Sequence, residues 1–191
     1  MAPLRALLAV CLLAAPGRAE ERVTRPYPGV SHVHRTDHAQ DYHLLILAPR
    51  AMEVVGTGPD EQRLRAQAGP EVTFLSRVDD GALRELYRGA RAVIMPNVED
   101  FGITAVEAMA CGRPVVAFGE GGGAESVIDG ETGILFREPT PLALRAAVDS
   151  LSTMRFNTAA SRARAETYSR PLFESRFRTF LDSALNNPSR C

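Results

Sequence analysis

Residues 96–118 of the chain are PNVEDFGITAVEAMACGRPVVAF, and this stretch decides the fold. It passes from a loop through a glycine into an apolar helical pattern, and then into the apolar run Pro114–Phe118. The helix is expected to begin near Gly102, and a strand that leads into it is expected at Ala92–Met95. A strand, a helix and a second strand in this order predict a parallel βαβ unit with a right-handed crossover.

The same alternation of short apolar segments and helical patterns continues over most of the chain beyond residue 52. Five segments are short, rich in Val, Ile, Leu or Phe, and bounded by Gly or Pro, as strands buried on both faces are. They are Glu53–Gly56, Val72–Ser76, Ala92–Met95, Pro114–Phe118 and Gly133–Phe136. The sequence therefore predicts an α/β fold: a Rossmann-like parallel sheet with helices on both faces, which binds ligands at the carboxyl ends of its strands.

The chain becomes helical after residue 137. Apolar residues recur there on one helical face, which we interpret first as core and second as a surface for a partner. These residues are Phe173, Phe177, Phe180, Leu181 and Ala184. The predicted domain therefore spans residues 52–185 and ends in helices.

The composition excludes several classes of protein. The 191 residues are 45% apolar and 24% charged, as in an ordinary globular domain and unlike a disordered tail. With 22 Lys and Arg against 23 Asp and Glu, the net charge of −1 lacks the basic excess of a nucleic-acid-binding protein. No apolar run reaches the roughly 20 residues that a membrane-spanning helix requires.

Two features precede the predicted domain. Residues 1–19 carry an early positive charge, an apolar run and then small residues, which is the layout of a secretory signal peptide; an N-terminal helix is the alternative.

Residues 20–51 form a histidine-rich extension. Its imidazoles could share a Zn²⁺, but no paired cysteine or helical spacing supports a site, so we favour a polar edge strand or solvated segment and expect no metal. The four histidines are His32, His34, His38 and His43.

Gly56 and Gly58 lie where the first predicted strand passes into a helix, in VVGTGPDEQRLR. Glycines at such a junction let the backbone turn tightly and approach a ligand. A dinucleotide-binding fingerprint, G-x-G-x-x-G, would require a third glycine where Glu61 stands. A tight turn is therefore favoured, and a nicotinamide-dependent oxidoreductase is the weakest functional alternative.

The residues with candidate chemistry cluster around the helix that is expected to begin near Gly102. The amides of Gly102, Ile103 and Thr104 would be unpaired donors at the positive end of the helix dipole, which suits a diphosphate. Glu99 precedes the helix, and Glu107 lies about one turn along it. Two carboxylates would repel a bare phosphate, but they can accept hydrogen bonds from hydroxyls on either side of it. The pattern favours a nucleotide sugar over the alternative of a solvated loop acid and a capping acid.

A second glycine-rich loop, residues 119–123, follows the strand Pro114–Phe118. A short helix is expected after it, at Ala124–Asp129. Because the carboxyl ends of parallel strands meet at one edge of a sheet, this loop is expected to approach the same crevice as the helix near Gly102.

From about Val54 to Leu181 the chain resembles the C-terminal, donor-binding domain of retaining GT-B glycosyltransferases of family 4. The motifs that carry the resemblance include VVGTGPDEQRL, VTFLSRV, ALRELYRGARAVIMPNVEDFGITAVEAMACGRPVVAF and GGGAESVIDGETGILF. The resemblance implies a hexosyltransferase whose donor is a nucleotide-diphosphate sugar, such as GDP- or UDP-hexose. It further implies transfer to a hydroxyl of a carbohydrate or lipid-linked acceptor, with retained configuration and without a metal cofactor.

The resemblance also implies roles for individual residues. Glu107 would hold the donor ribose, and Glu99 would contact hydroxyls of the donor sugar. The three amides at the helix start would cradle the diphosphate. The end of the second predicted strand, with Arg77, would border the base, and Gly56 and Gly58 would lie beside the donor.

The chain departs from this family at its N-terminal side. Whole enzymes have an N-terminal half that binds the acceptor, and their C-terminal half opens with a strand followed by a basic Arg and Lys pair; residues 1–50 match neither. The chain is therefore expected to lack the acceptor domain, and its sheet is expected to be short by about one βα unit, with an exposed edge strand. The family implies a cytoplasmic enzyme, whereas the signal-like start favours the alternative of a secreted, non-catalytic binding module.

Overall fold

Strands and short helices alternate along the chain in the computed structural model, which describes residues 24–27, 30–32, 44–47, 51–59 and 61–186. The strands are β1 (Thr24–Tyr27), β2 (Val30–His32), β3 (Leu44–Leu47), β4 (Met52–Val55), β5 (Val72–Leu75), β6 (Ala92–Met95), β7 (Val115–Phe118) and β8 (Gly133–Phe136). The helices are α1 (Glu61–Gln67), α2 (Asp80–Gly89), α3 (Ile103–Ala110), α4 (Gly122–Ser126), α5 (Pro141–Ser150), α6 (Thr158–Glu166) and α7 (Arg170–Asn186).

The main sheet has six strands in the order β5-β4-β3-β6-β7-β8. β4 pairs with β5 in parallel, and so do β6 with β7 and β7 with β8. These five strands are the five predicted from the sequence, and each boundary agrees within one residue. The predicted α/β architecture is therefore confirmed.

β3 breaks the parallel pattern. It lies at the centre of the sheet and is antiparallel to both β4 and β6. The length of the connection explains the direction: β3 ends at Leu47 and β4 begins at Met52, whereas a parallel crossover needs a dozen or more residues. The sheet is thus mixed rather than wholly parallel. β3 comes from the segment 20–51, for which the sequence predicted a polar edge strand or a solvated segment, and it lies at the centre of the sheet instead.

The direction of β3 also fixes where the other strands end. Because β4 and β6 are both antiparallel to β3, they run in the same direction as each other. The carboxyl ends of β4, β5, β6, β7 and β8 therefore meet at one edge of the sheet. The loops that follow β4, β6 and β7 contain the glycines and acids singled out in the sequence.

Helices cover both faces of the sheet, as predicted. Alternate residues of β6 show this directly. Ala92 and Ile94 pack in one apolar cluster with residues of α1 and α5, while Val93 and Met95 pack in another with residues of α2, α3 and α6. All four are buried, which explains the near-continuous apolarity of the strand.

The C-terminal helix α7 was expected to bury its aromatic face, and this prediction is wrong. Phe173, Phe177 and Phe180 are 64%, 50% and 66% exposed, and no residue of α7 is buried. Phe173 and Phe177 stack on each other with ring centroids 5.7 Å apart, so each covers part of the other. The second interpretation, a surface for a partner, stays a prediction.

The expectations for the N-terminal region fall mostly outside the described residues. β1 and β2 form an antiparallel hairpin that ends at His32. Residues 1–19, His34, His38 and His43 are not among the described residues, so the signal-peptide and Zn²⁺ hypotheses stay untested. Within the described ranges, no group of three or more His, Cys, Asp or Glu could hold a metal ion. The helices described include none with the length and apolarity of a membrane span.

Candidate functional site

The start of α3 is shaped by a glycine. Gly102 is the residue before the first helical turn and has φ 73° and ψ 38°, in the left-handed region. Glycine adopts this conformation without steric cost because it has no Cβ. A Cβ at this position would also lie only 2.9 Å from the carbonyl carbon of Gly122. The predicted start of the helix is confirmed. Glycine is required there both by the left-handed backbone conformation and by the close approach of Gly122.

The amides at this helix start have no hydrogen-bond partner among the described residues. Ala105 and Val106 donate their amides to the carbonyl oxygen of Gly102, and no side chain caps the helix. Among the described residues, none accepts a hydrogen bond from the amides of Gly102, Ile103 or Thr104. At this helix start the Ile103 side chain is exposed, whereas Gly102 is buried against Gly122. Three donors at the positive end of a helix dipole form a site suited to an anion.

The loop after β7 lies directly against the loop before α3. The Gly122 amide donates a 2.6 Å hydrogen bond to the carbonyl oxygen of Glu99, and Gly121 pairs with Glu99 in a parallel bridge. A Cβ on Gly122 would lie 2.2 Å from the carbonyl carbon of Phe101. The two loops therefore contact each other at one edge of the sheet, and α4 begins two residues earlier than the sequence suggested.

Glu99 is held in place by a neighbour in its own loop. The Asn97 side-chain amide donates a 2.7 Å hydrogen bond to Oε1 of Glu99. The carboxyl group is partly buried in the loop between β6 and α3. Oε2 accepts no hydrogen bond from any described residue, which leaves it available to a ligand hydroxyl.

Glu107 is held by a residue of another helix. The Tyr87 hydroxyl, on α2, donates a 2.8 Å hydrogen bond to Oε2 of Glu107. Tyr87 is 3% exposed, whereas Glu107 is exposed. Burial first, and then the Glu107 carboxylate, raise the pKa of Tyr87 above its ordinary range, so the phenol keeps its proton and remains a donor.

The remaining predicted residues lie along the same edge but apart from α3. The Gly56 amide donates to the carbonyl oxygen of Leu75, and the Gly58 carbonyl oxygen accepts from the Glu61 amide, both at 3.0 Å. The Gly58 bond closes a local turn before α1, as the sequence favours, whereas the Gly56 bond extends the pairing of β4 with β5. The exposed Arg77 follows β5. Since β3 lies between β4 and β6, Gly56 is about 10 Å, two strand spacings, from the end of β6.

Tyr87 is a site residue that the sequence did not reveal. It belongs to an apolar face of α2, and that pattern predicts only that it packs in the core. The other residues of this face are Leu83, Leu86 and Ala90. The available signal is chemical, because a buried tyrosine hydroxyl usually finds a hydrogen-bond partner. That rule predicts a partner for Tyr87 but does not identify Glu107.

Arg164 of α6 is a second unpredicted contributor, since it fixes the end of α4. Its guanidinium donates to the carbonyl oxygen of Ser126 at 2.9 Å and to that of Glu125 at 2.5 Å. The Tyr168 hydroxyl donates to the same Glu125 oxygen at 3.2 Å. The otherwise unpaired carbonyls at the end of this short helix are thereby satisfied. Arg164 thus anchors the end of α4, the short helix whose glycine-rich start lies beside Glu99.

A sheet of mostly parallel strands, with helices on both faces and five strands ending at one edge, defines the class of doubly wound α/β domains. Within this class, the chain belongs to the family glycosyl transferases group 1, whose model matches residues 26–170. The match begins inside the segment 1–50, which the sequence motifs had left outside the resemblance, and it includes β3.

Curated relatives agree with this family. A D-inositol 3-phosphate glycosyltransferase of Stackebrandtia nassauensis is 40% identical over 119 residues, which are 56% of this chain and 27% of the relative. A phosphatidyl-myo-inositol mannosyltransferase of Mycobacterium leprae is 44% identical over 87 residues, 43% of this chain and 23% of the relative. The chain thus spans about a quarter of the length of these relatives.

Solved structures show the same fold. Sucrose-phosphate synthase from Thermosynechococcus elongatus matches 69% of this chain and 38% of its own, with a TM-score of 0.57 and 28% identity. The Anabaena protein HepE in complex with UDP-glucose matches 69% of this chain and 40% of its own, with a TM-score of 0.54 and 25% identity. The fold is that of one part of a GT-B glycosyltransferase.

Proposed function

We propose that this chain is the donor-binding part of a retaining, family 4 glycosyltransferase that transfers a hexose from a nucleotide-diphosphate sugar to an acceptor hydroxyl. The start of α3 carries the proposal, because three amides with no partner among the described residues lie there, between Glu99 and Glu107 along the chain. Family membership and the UDP-glucose complex of a similar fold support this class of donor.

In the proposed reaction, the amides of Gly102, Ile103 and Thr104 bind the diphosphate. Negative charge grows on that group as the sugar departs, and fixed donors aimed at a developing charge stabilise the transition state. Because these amides supply the stabilisation, we propose a reaction that does not depend on a metal cofactor.

The two carboxylates would bind the groups on either side of the diphosphate. Oε1 of Glu107 accepts hydrogen bonds from the ribose, since Oε2 already accepts one from Tyr87. Oε2 of Glu99 accepts from hydroxyls of the donor sugar, since Oε1 is bonded to Asn97. Both carboxylates thus act mainly by positioning the donor for transfer.

The nucleoside base would lie further along the sheet edge. Arg77 follows β5 and is exposed, so its guanidinium can reach a ligand at this edge. Gly56 and Gly58 lie in the segment after β4, where the lack of a side chain allows a ligand to approach the backbone closely. We propose GDP- or UDP-hexose as the donor, and the choice between them is open to direct measurement.

The acceptor would be bound elsewhere. The chain spans about a quarter of the length of its curated relatives, whose names contain D-inositol 3-phosphate and phosphatidyl-myo-inositol. We infer that the chain is truncated relative to a complete enzyme and that a missing N-terminal half binds a carbohydrate or lipid-linked acceptor. The exposed aromatic face of α7 is a candidate contact for that half.

A cytoplasmic location follows from the proposed donor, since nucleotide sugars are cytosolic. The test is the mass of the protein recovered from cells. An intact N-terminus agrees with the transferase, and cleavage after Ala19 would favour the secreted binding module instead.

The proposal is tested by calorimetric titration of the full chain with UDP, GDP and ADP and with their hexose conjugates. One sugar nucleotide is expected to bind more tightly than its bare diphosphate. Glu99→Ala should remove this preference without abolishing binding of the diphosphate, while the exposed Glu131→Ala serves as the matched control. Binding of NAD but of none of these nucleotides would overturn the proposal in favour of an oxidoreductase.

A further inference from the structure

Tyr87 joins two helices at the candidate site through a buried phenol. Its hydroxyl donates to Oε2 of Glu107 at 2.8 Å, across 20 positions of sequence. One hydroxyl of α2 therefore contacts the α3 residue that is proposed to bind ribose.

The contact matters because Glu107 alone would not have a fixed orientation. Glu107 is exposed on α3, and an exposed glutamate side chain samples several rotamers. Tyr87 is packed among the side chains between the sheet and helices α2, α3 and α6, so its ring cannot move freely. A fixed donor on Oε2 restricts the carboxylate and leaves Oε1 free for a ligand.

We propose that Tyr87 is a positioning residue, whose hydroxyl orients the Glu107 carboxylate to accept hydrogen bonds from the ribose diol of the donor. The inference rests on the proposed function, because it assigns Glu107 the ribose. It predicts that removal of the Tyr87 hydroxyl weakens recognition of the ribose and leaves recognition of the diphosphate unchanged.

The test compares three probes on the full chain: a nucleoside diphosphate that the parent binds (UDP or GDP), its 2′,3′-dideoxy counterpart, and inorganic pyrophosphate. The ratio of the first two affinities measures recognition of the ribose hydroxyls. Tyr87→Phe is expected to reduce this ratio about tenfold, the size typical of coupling between contacting residues, and to leave pyrophosphate affinity unchanged.

A double-mutant cycle separates positioning from a general loss of structure. If Tyr87 acts through Glu107, Tyr87→Phe should change the ratio in the parent but have no further effect in a Glu107→Ala background. Ile94→Val, which shortens a buried side chain on the opposite face of the sheet, is the stability control and should leave the ratio unchanged.

The outcomes distinguish the two claims. A parent chain that binds ribose and dideoxy forms equally would overturn the proposed function and this inference with it. A parent that discriminates, with Glu107→Ala losing the preference and Tyr87→Phe keeping it, would overturn the inference alone. So would an equal loss of affinity for all three probes in Tyr87→Phe, because that result indicates a purely structural role.

Discussion

The Gly122 amide lies 2.6 Å from the carbonyl oxygen of Glu99 and donates a hydrogen bond to it. This bond joins the loop after β7 to the loop after β6, so the two strand ends support each other. The approach is possible because Gly122 has no side chain: a Cβ would lie 2.2 Å from the carbonyl carbon of Phe101. The geometry at the start of α3 therefore depends on a glycine in a different loop.

Gly122→Ala is expected to displace the loop that precedes α3. The backbone of Phe101 cannot yield as a flexible side chain would, so we expect the free energy of unfolding to fall by about 1–3 kcal/mol, as for other overpacked sites. Nucleotide affinity should fall as well. Urea unfolding and calorimetric titration measure the two effects.

Gly89→Ala is the matched control for this substitution. A Cβ on Gly89, in α2, would meet nothing within 4 Å. Replacing a helical glycine with alanine should leave stability unchanged or raise it by up to about 1 kcal/mol. Equal effects of the two substitutions would contradict the close packing of the loops.

Stability above about pH 10 is expected to depend on Tyr87. Its pKa is raised in the folded protein, so the unfolded chain loses the phenolic proton first as the pH rises through the ordinary tyrosine pKa of about 10. The unfolded state then binds fewer protons than the folded state, and the free energy of unfolding decreases by up to about 1.4 kcal/mol per pH unit. Below the ordinary pKa, this contribution is constant.

Tyr87→Phe removes that contribution, since phenylalanine has no proton to lose. Urea unfolding of parent and variant between about pH 9 and 11 should show a shallower alkaline decline in the variant. The other tyrosines are common to both proteins and cancel in the difference. Parallel declines would show that the pKa of Tyr87 is ordinary.

Arg164→Ala should loosen α4. The substitution removes the donors to the carbonyl oxygens of Glu125 and Ser126. Because the guanidinium is only partly buried, we expect a loss of about 1–2 kcal/mol in the free energy of unfolding, below the full worth of two charged hydrogen bonds. Arg178→Ala, at an exposed position of α7, should change it by less than about 0.5 kcal/mol. A similar loss in both would refute the anchoring role.

Much of the sheet can be predicted from the sequence, because β4 to β8 are short apolar runs that end at Gly, Pro or a polar loop. β3 was not predicted from the sequence, because Leu44–Leu47 lies in a histidine-rich segment and no helical pattern separates it from the next strand. Its direction, however, follows from the sequence once the strand is known, because four residues cannot form a parallel crossover. The exposure of α7 could not be predicted, since an apolar stripe shows which face is buried but not by what.

The helix start at Gly102 and the flanking acids could be predicted from one contiguous stretch. The bonds that hold those acids are of two kinds. Asn97 to Glu99 spans two positions and is local, whereas Tyr87 to Glu107 joins separate helices. Contacts of the second kind depend on the packing of α2 against α3, which no local pattern specifies.

The central claim is that the start of α3 seats a nucleoside diphosphate, with Glu107 on its ribose. The most direct measurement is calorimetric titration of the parent chain, Glu107→Ala and Glu131→Ala with UDP and GDP. The account predicts that Glu107→Ala weakens binding by about 1–3 kcal/mol, as expected for a lost charged hydrogen bond, and that Glu131→Ala binds as the parent does. Equal affinity in all three proteins, or no binding to the parent, would contradict it.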